Sequence, residues 1–399
     1  MVPVRNGRLL GLLALLVALV LAVAACGGGE EEAAPPPAEP APAEPAEPAP
    51  PPPAEPPAFT PEAKAGIPGA LLPEELALWQ YDFETGKYEV VEGDASQPYV
   101  PNVRKAQKEY TIAFAEGWAA IPFSAEINKG VYRIAEEIGV KVIYCDNEFK
   151  ADKAVTCAEQ LASQKPDFAI ESNWQAGAAA AVMKIWDDAR IPVVNIDVVH
   201  PNGIFFGADN YTSGAIGGKA AGEYAKEKWN CEDVWIFMGE NPGEGEAADL
   251  RLVGFADGVQ EVCGALSPDH IQREITDAGT TDQAITKTTD WLTAHPDATH
   301  ILATSIDDAR ATGIGKALVQ SGREGGAVGP GCDSIGIEVL KLGPVEDTGY
   351  LGCVAFYPEK YPDYVMSVAL DVLEGKAVPQ EVHIEHTFLD PETIGTVYP

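Results

Sequence analysis

Tyr110-Thr111-Ile112-Ala113-Phe114-Ala115 is a short run of β-branched, aromatic and small residues. Residues 124–138 follow with helical spacing of apolar positions, Gly139 stops them, and Lys141-Val142-Ile143-Tyr144-Cys145 is a second short run. Short β-branched runs read as strands, and apolar residues three or four apart read as one face of a helix. The alternation continues with a helix over 151–163, a strand at Phe168-Ala169-Ile170-Glu171, a helix over 176–190 and a strand over 192–197. Such a β-α-β-α-β series predicts a parallel sheet with helices on both faces.

A second series follows a short connection. Helices are expected over 211–229, 247–263, 308–321 and 361–373, and strands over 233–238, 271–276, 300–304, 329–333, 350–355 and 381–386. One further helix opens at Thr280-Thr281-Asp282-Gln283, where Thr280 and Gln283 have capping-box spacing. The expected fold class is α/β, with two Rossmann-like lobes built on parallel sheets.

The chain begins with Arg5 and Arg8, an apolar run over 9–25, and Val23-Ala24-Ala25-Cys26-Gly27. A positive start, an apolar middle and small residues at a cut form a secretory signal. Val-Ala-Ala-Cys resembles the lipobox of bacterial lipoproteins, which implies cleavage after residue 25 and diacylation of Cys26. The alternative is an uncleaved anchor, for which the run is short. Both place the body outside the cytoplasm, in the cell envelope. Residues 26–58 are almost entirely Gly, Glu, Ala and Pro, a composition that cannot bury a core and suits a tether. Residues 59–107 carry apolar and aromatic positions without sustained period and read as an extension packed on the body.

The other six cysteines fall as Cys145 and Cys157, Cys231 and Cys263, Cys332 and Cys353. Many pairings are open to six cysteines. Pairing between sequence neighbours is expected because each pair falls within one supersecondary unit, and an exported chain permits disulfides. No Cys-x-x-Cys spacing suggests a metal cluster. The net charge of −34 would repel nucleic acid and fits solubility.

In open α/β sheets ligands bind beyond the carboxyl ends of the strands. Those ends carry Glu116, Asp146, Asn173 and Asp197 in the first series, and Asn241, Asp277, Asp307, Asp308 and Asp333 in the second. Trp118, Phe123, Trp174, Phe356 and Tyr357 are interleaved with them. Carboxylates and amides suit hydroxyl pairs, and flat rings cover the C–H faces of a sugar. Each acid has an ordinary competing role as a helix cap, Asp308 above all.

With Ile196-Asp197, Gly207-Ala208-Asp209-Asn210 followed by Gly217-Gly218, Arg251-Leu252-Val253-Gly254-Phe255, Asp307-Asp308 with Ala311 and Gly313, and Gly331-Cys332-Asp333, residues 108–399 resemble the type I periplasmic binding proteins of sugar ABC transporters, the ribose-binding-like group. The resemblance implies two lobes joined by a three-segment hinge, with ligand held between them. Lobe 1 would comprise 108–208 and 357–378, lobe 2 209–356 and 379–399, with crossings near 208–209, Phe356 and Val378. It implies Asp197, Asn173, Asp308 and Asp333 as polar ligand contacts and Trp118, Phe123 and Phe356 as wall residues. It also implies a monomer without cofactor that delivers a small molecule to a permease. Two positions depart from the pattern. Sugar-binding relatives commonly carry Arg directly after the Asp197 position and two residues before the Arg251 position, where this chain has Val198 and Asp249. Arg251 or Arg310 would substitute, or both lie on helix surfaces, and the ligand is neutral or cationic.

An enzyme needs a nucleophile, a metal or a tuned acid–base pair. His383 and His386 are the only close histidine pair and read as part of a terminal strand; too few ligands accompany them for zinc. Residues 213–219, SGAIGGK, depart from a phosphate-binding loop, with Ser213 where the first Gly belongs and Ala220 after the Lys. Adjacent Asp307 and Asp308 point apart at a helix start and suit poorly the two facing acids of glycoside hydrolysis. The chain is therefore expected to be no enzyme; a receptor subunit for a membrane sensor and, less favoured, a glycoside-acting enzyme stand as alternatives.

Overall fold

The computed structural model describes residues 67–276 and 279–399. The signal, Cys26 and the tether lie outside the described residues. The first elements are a hairpin, β1 (Leu78–Asp82) and β2 (Lys87–Val91). The first lobe then runs β3 (Thr111–Glu116), α1 (Pro122–Ile138), β4 (Lys141–Asp146), α2 (Ala151–Ala162), β5 (Phe168–Glu171), α3 (Ala179–Ala189), β6 (Val193–Ile196) and β7 (Ile204–Ala208). The second runs α4 (Asn210–Trp229), β8 (Val234–Glu240), α5 (Glu246–Cys263), β9 (Ile271–Ile275), α6 (Thr281–Ala294), β10 (His300–Ser305), α7 (Asp308–Ser321), β11 (Glu324–Gly331), α8 (Ser334–Leu342), α9 (Val345–Thr348) and β12 (Tyr350–Ala355). The chain ends with α10 (Tyr361–Leu373), β13 (Val378–Pro379), β14 (Glu381–Ile384), β15 (Thr387–Leu389) and α11 (Ile394–Val397).

The first sheet has the order β14-β7-β6-β5-β3-β4, with every pair parallel. The second has the order β15-β12-β11-β10-β8-β9 and is parallel except for β15. Both belong to one compact unit. Strands β5, β6, β7 and β12 are buried at every residue, as strands covered by helices on both faces must be.

Four features differ from the sequence expectation. β7 lies where a connection is expected, because the chain turns back at Asp197, φ 61°, and pairs β6 in parallel without an intervening helix. β11 begins at Glu324 rather than 329: its opening Glu-Gly-Gly-Ala lacks the side chains that mark a strand. Helix α8 is not foreseen. The boundary at 379 is also corrected, since β14 pairs with β7 in the first sheet and only β15 joins the second. The third crossing therefore falls at Glu385-His386, not near Val378.

His386 ties the crossings together. Its Nε2 accepts from Asp209 N–H at 3.1 Å, and Nδ1–H faces Ala355 O at 3.3 Å. Burial lowers its pKa to about 4, so the ring is neutral and carries the tautomer this arrangement needs.

The extension packs on the first lobe. β1 pairs antiparallel with β13, Tyr99 O–H donates to Asp371 at 2.7 Å, and Arg104 spans Asp371 and Glu374 at 2.8 and 2.7 Å. Three disulfides join Cys145 to Cys157, Cys231 to Cys263 and Cys332 to Cys353. Each closes one local unit and is worth about 3 kcal/mol.

Glu171, at the end of β5, is fully buried and accepts from Trp186 Nε1–H at 3.0 Å. Burial raises its pKa to about 8. The folded chain thus holds a proton that the unfolded chain releases near the ordinary Glu value, and stability falls as pH rises from about 4.5 to about 8. Glu171→Gln is expected to flatten that fall. Denaturant midpoints at about pH 5 and about pH 8.5 check it: the wild-type midpoint drops more than the variant's, and equal drops would refute it.

Candidate functional site

A cavity of about 350 Å³ lies between the lobes, at the carboxyl ends of both sheets. This volume lies in the range of small-molecule sites. The first lobe contributes Trp118 and Phe123 after β3, Phe149 after β4, Trp174 after β5, and Asp197 and Val198 after β6. The second contributes Glu244 and Arg251 after β8, Asp307, Asp308 and Arg310 after β10, and Asp333 after β11; Phe356 comes from a crossing. Trp118 and Phe149 stack at 5.7 Å, and Trp174 meets Phe149 edge-on at 6.4 Å.

The polar groups are held by their own partners. Asp197 Oδ1 accepts from Tyr361 O–H at 2.8 Å; burial raises its pKa and nearby Arg251 opposes that rise. Arg251 donates from Nε to Asn210 Oδ1 and from Nη1 to Ile306 O, both at 2.6 Å, and sits 5.1 Å from the centre of the Phe356 ring. That position over an aromatic face is itself favourable. Buried Arg310 donates from Nε to Thr276 O at 2.6 Å and pairs through Nη1 with Asp307. Asp333 caps α8, its Oδ1 accepting from Ile335 N–H at 2.8 Å and Gly336 N–H at 3.3 Å, and burial lifts its pKa to about 6. Asp308 accepts from Tyr350 O–H at 2.5 Å and from Asp333 N–H at 2.8 Å; burial, with Asp333 nearby, drives its pKa well up. Glu244 also rises, to about 7, through burial, against the pull of Arg310 and Arg251.

The cavity thus brings together Trp118, Phe123, Asp197, Asp308, Asp333 and Phe356. Asn173, expected as a polar ligand contact, stands apart from the cavity lining. Its side chain is buried, donates to Gln175 O, accepts from Gln175 N–H, both at 3.0 Å, and meets His200 Nε2 at 3.2 Å. It fixes the loop that presents Trp174. Asp307, not Asp308, caps α7, accepting from Arg310 N–H at 2.8 Å. Glu116 and Asp146 turn to Asn128 and Glu148 instead of the cavity, and Asp277 lies outside the described residues. Arg251 and Arg310 line the cavity rather than helix surfaces, whereas Asp249 leaves it to pair with Arg273. Phe149 and Glu244 are lining residues that the sequence did not suggest. Phe149 sits at φ 55° in an irregular loop, and no pattern marks it.

Helices α4 and α5 place Arg251 against Asn210 through glycine contacts. A Cβ on Gly218 would come within 2.1 Å of Phe255 O, and one on Gly254 within 2.1 Å of Tyr211 O. The lobes also meet at the cleft rim. A Cβ on Gly245, φ 76°, would lie 2.9 Å from Ala176 Cβ across the mouth.

A family model described as periplasmic binding protein domain matches residues 112–377, the span that holds both sheets and the cavity. The chain belongs to this family. Its members are binding proteins of transport systems rather than enzymes, and they work outside the cytoplasm. The ribose import binding protein of Bacillus subtilis (strain 168) is 25% identical over 284 residues, which covers 69% of this chain and 86% of that protein. A solute-binding protein from Actinobacillus succinogenes 130z, solved with D-allose, is 18% identical with a TM-score of 0.61, covering 72% of this chain and 99% of that one. One from Bacillus halodurans C-125, solved with myo-inositol, is 16% identical with a TM-score of 0.60, covering 74% and 98%. These structural likenesses concern the two-lobed fold. Among the described residues, no helix is long and apolar enough to cross a membrane, and no group of three or more His, Cys, Asp or Glu residues is placed to hold a metal.

Proposed function

We propose that this protein binds a neutral polyhydroxylated small molecule, a sugar or polyol, between its lobes and delivers it to an ABC transporter permease. The observation that carries the reading is the pairing of aromatic walls, Trp118, Phe123 and Phe356, with Asp197, Asp333 and two guanidiniums in one cavity. Rings cover C–H faces, carboxylates accept from hydroxyls, and arginines donate to hydroxyl and ring oxygens. The lining charges do not demand a cation: Arg251 stands near Asp197, and burial raises the pKa of Glu244 to about 7 and of Asp333 to about 6. Asp307 is neutralised by Arg310, Asp308 is occupied by Tyr350 and Asp333 N–H, and Asp249 is outside. The alternation of sugars and polyols in the related structures, D-allose in one and myo-inositol in another, agrees with this class. Val198 and Asp249 replace the arginines of sugar-binding relatives, and Arg251 and Arg310 supply guanidiniums from other positions.

A thermal-shift screen against neutral sugars, polyols, nucleosides, amino acids and polyamines tests the class. Ligand at about 100 times its dissociation constant stabilises the fold by about 2.7 kcal/mol. A response within the sugars and polyols supports the reading, and a response to polyamines alone refutes it.

One chain supplies both walls of the cleft, so a monomer holds a complete site. Cys26 carries a diacyl anchor that keeps the binder beside the permease, two acyl chains being enough for stable retention. Cys26→Ser is expected to move most of the protein from the membrane fraction to the soluble fraction. Retention of the variant in washed membranes would refute lipidation.

A further inference from the structure

Residues 67–71 touch both lobes and take no part in lining the cavity. Ile67 and Ala70 pack with Tyr211 of α4 and Leu250 and Val253 of α5, all in the second lobe, and Ala70 is fully buried there. Between and beside them the backbone turns to the first lobe. Gly69 N–H donates to Glu381 Oε1 at 2.7 Å and Leu71 N–H to Oε2 at 3.3 Å, and Glu381 stands on β14 of the first sheet. Gly69 holds φ 85°, and a Cβ there would come 2.8 Å from Val199 Cγ2 and 3.7 Å from the Phe205 ring. This close approach with positive φ suits only glycine. Further along, β1 is pinned to β13 beside the first lobe. The segment is thus a fourth link between lobes otherwise joined by the crossings at 208–210, 355–361 and 384–387.

We propose that residues 67–71 form a strap that favours the closed arrangement of the lobes and so raises ligand affinity, with Glu381 and the Ala70 seat as its two anchors. This rests on the reading that ligand is held by closure. An opening that moves the first lobe from the second would draw β14 and the Val199 loop away from α4 and α5. The strap cannot follow both. Either Ile67 and Ala70 leave their apolar seat, or Glu381 loses two backbone donors and keeps only His383, 3.2 Å away. Both losses are unfavourable. An open form that lacks one set of contacts is less populated, and apparent affinity scales with the closed fraction.

The test is made on ligand-free full chain, so it reads out whether or not the ligand class is right. Labels on unnatural residues at exposed Lys184 of α3 and Lys287 of α6 report the interlobe distance. Ala70→Asp, which drives the strap from the second lobe, and Glu381→Gln, which weakens its hold on the first, are each expected to lengthen the mean distance. The double variant is expected to lengthen it no further than the larger single effect, since a strap freed at one end links nothing. Ligand identified by the screen should bind each variant about three- to tenfold more weakly. If Ala70→Asp does not fold, Ile67→Ser replaces it. A wild-type distance distribution in both singles, a shift to shorter distances, or additive shifts in the double variant would overturn the strap.

Discussion

Arg251→Ala is expected to weaken ligand binding about 100-fold, which corresponds to about 2.7 kcal/mol. Arg251 lines the cavity while two of its nitrogens are committed to Asn210 and Ile306 and its plane lies over Phe356. The guanidinium is therefore rigid before ligand arrives, and little order is lost when it donates to a hydroxyl. A hydrogen bond to a charged group contributes about 1.5–3 kcal/mol. Its removal also leaves Asp197 without the nearby positive charge that opposes burial. Lysine has no planar fork, so Arg251→Lys should recover only part of the loss. Calorimetric titration with the ligand found by the screen checks both variants. Affinity within about twofold of wild type for Arg251→Ala would remove this residue from the site.

Gly254→Val is expected to cost at least about 3 kcal/mol of stability and to abolish measurable binding as well. The added Cβ would meet Tyr211 O at 2.1 Å and Ala215 N at 3.0 Å. Both are backbone atoms of α4, which cannot rotate aside as a side chain does. The helices must separate, and Arg251, one turn earlier on α5, then loses its register with Asn210 on α4. Gly218 makes the reciprocal contact with Phe255 O, so Gly218→Val should behave alike. Denaturant unfolding followed by titration of the folded fraction is the check. A wild-type midpoint with intact binding would show that the helices do not need the close crossing.

Much of this fold can be read from residues alone because the central strands of its two large sheets are buried on both faces. Ile112 to Ala115, Phe168 to Glu171 and Val193 to Ile196 are short runs with helices between them, and periodicity reports that directly. The signal fails where its physical basis is absent. No helix separates β6 from β7, and the glycines that open β11 give no strand preference. The last crossing is set by β14 pairing with β7, a partner nearly two hundred residues earlier, which no local pattern encodes. The site divides in the same way. The rule for strand ends finds Asp197, Asp308 and Asp333, because the sheet topology delivers these ends to one place. It also nominates Asn173, whose amide is spent on Gln175 and His200. It does not find Arg251 and Arg310, which enter only as substitutes for the missing arginines or as helix-surface residues, since a charged residue on an amphipathic helix reads as a surface position until the facing lobe is known. The spacing from Asp307 to Arg310 was the available hint, as residues three apart on a helix meet.

A crystal structure of the full chain with the ligand from the neutral screen tests the central claim most directly. We expect one molecule between the lobes, with its ring against Trp118, Phe123 or Phe356 and its hydroxyls within hydrogen-bond distance of Asp333 and Arg251. Ligand bound elsewhere, such as the open pocket beside Tyr224 and Phe388, with the interlobe cavity holding only water, would contradict it.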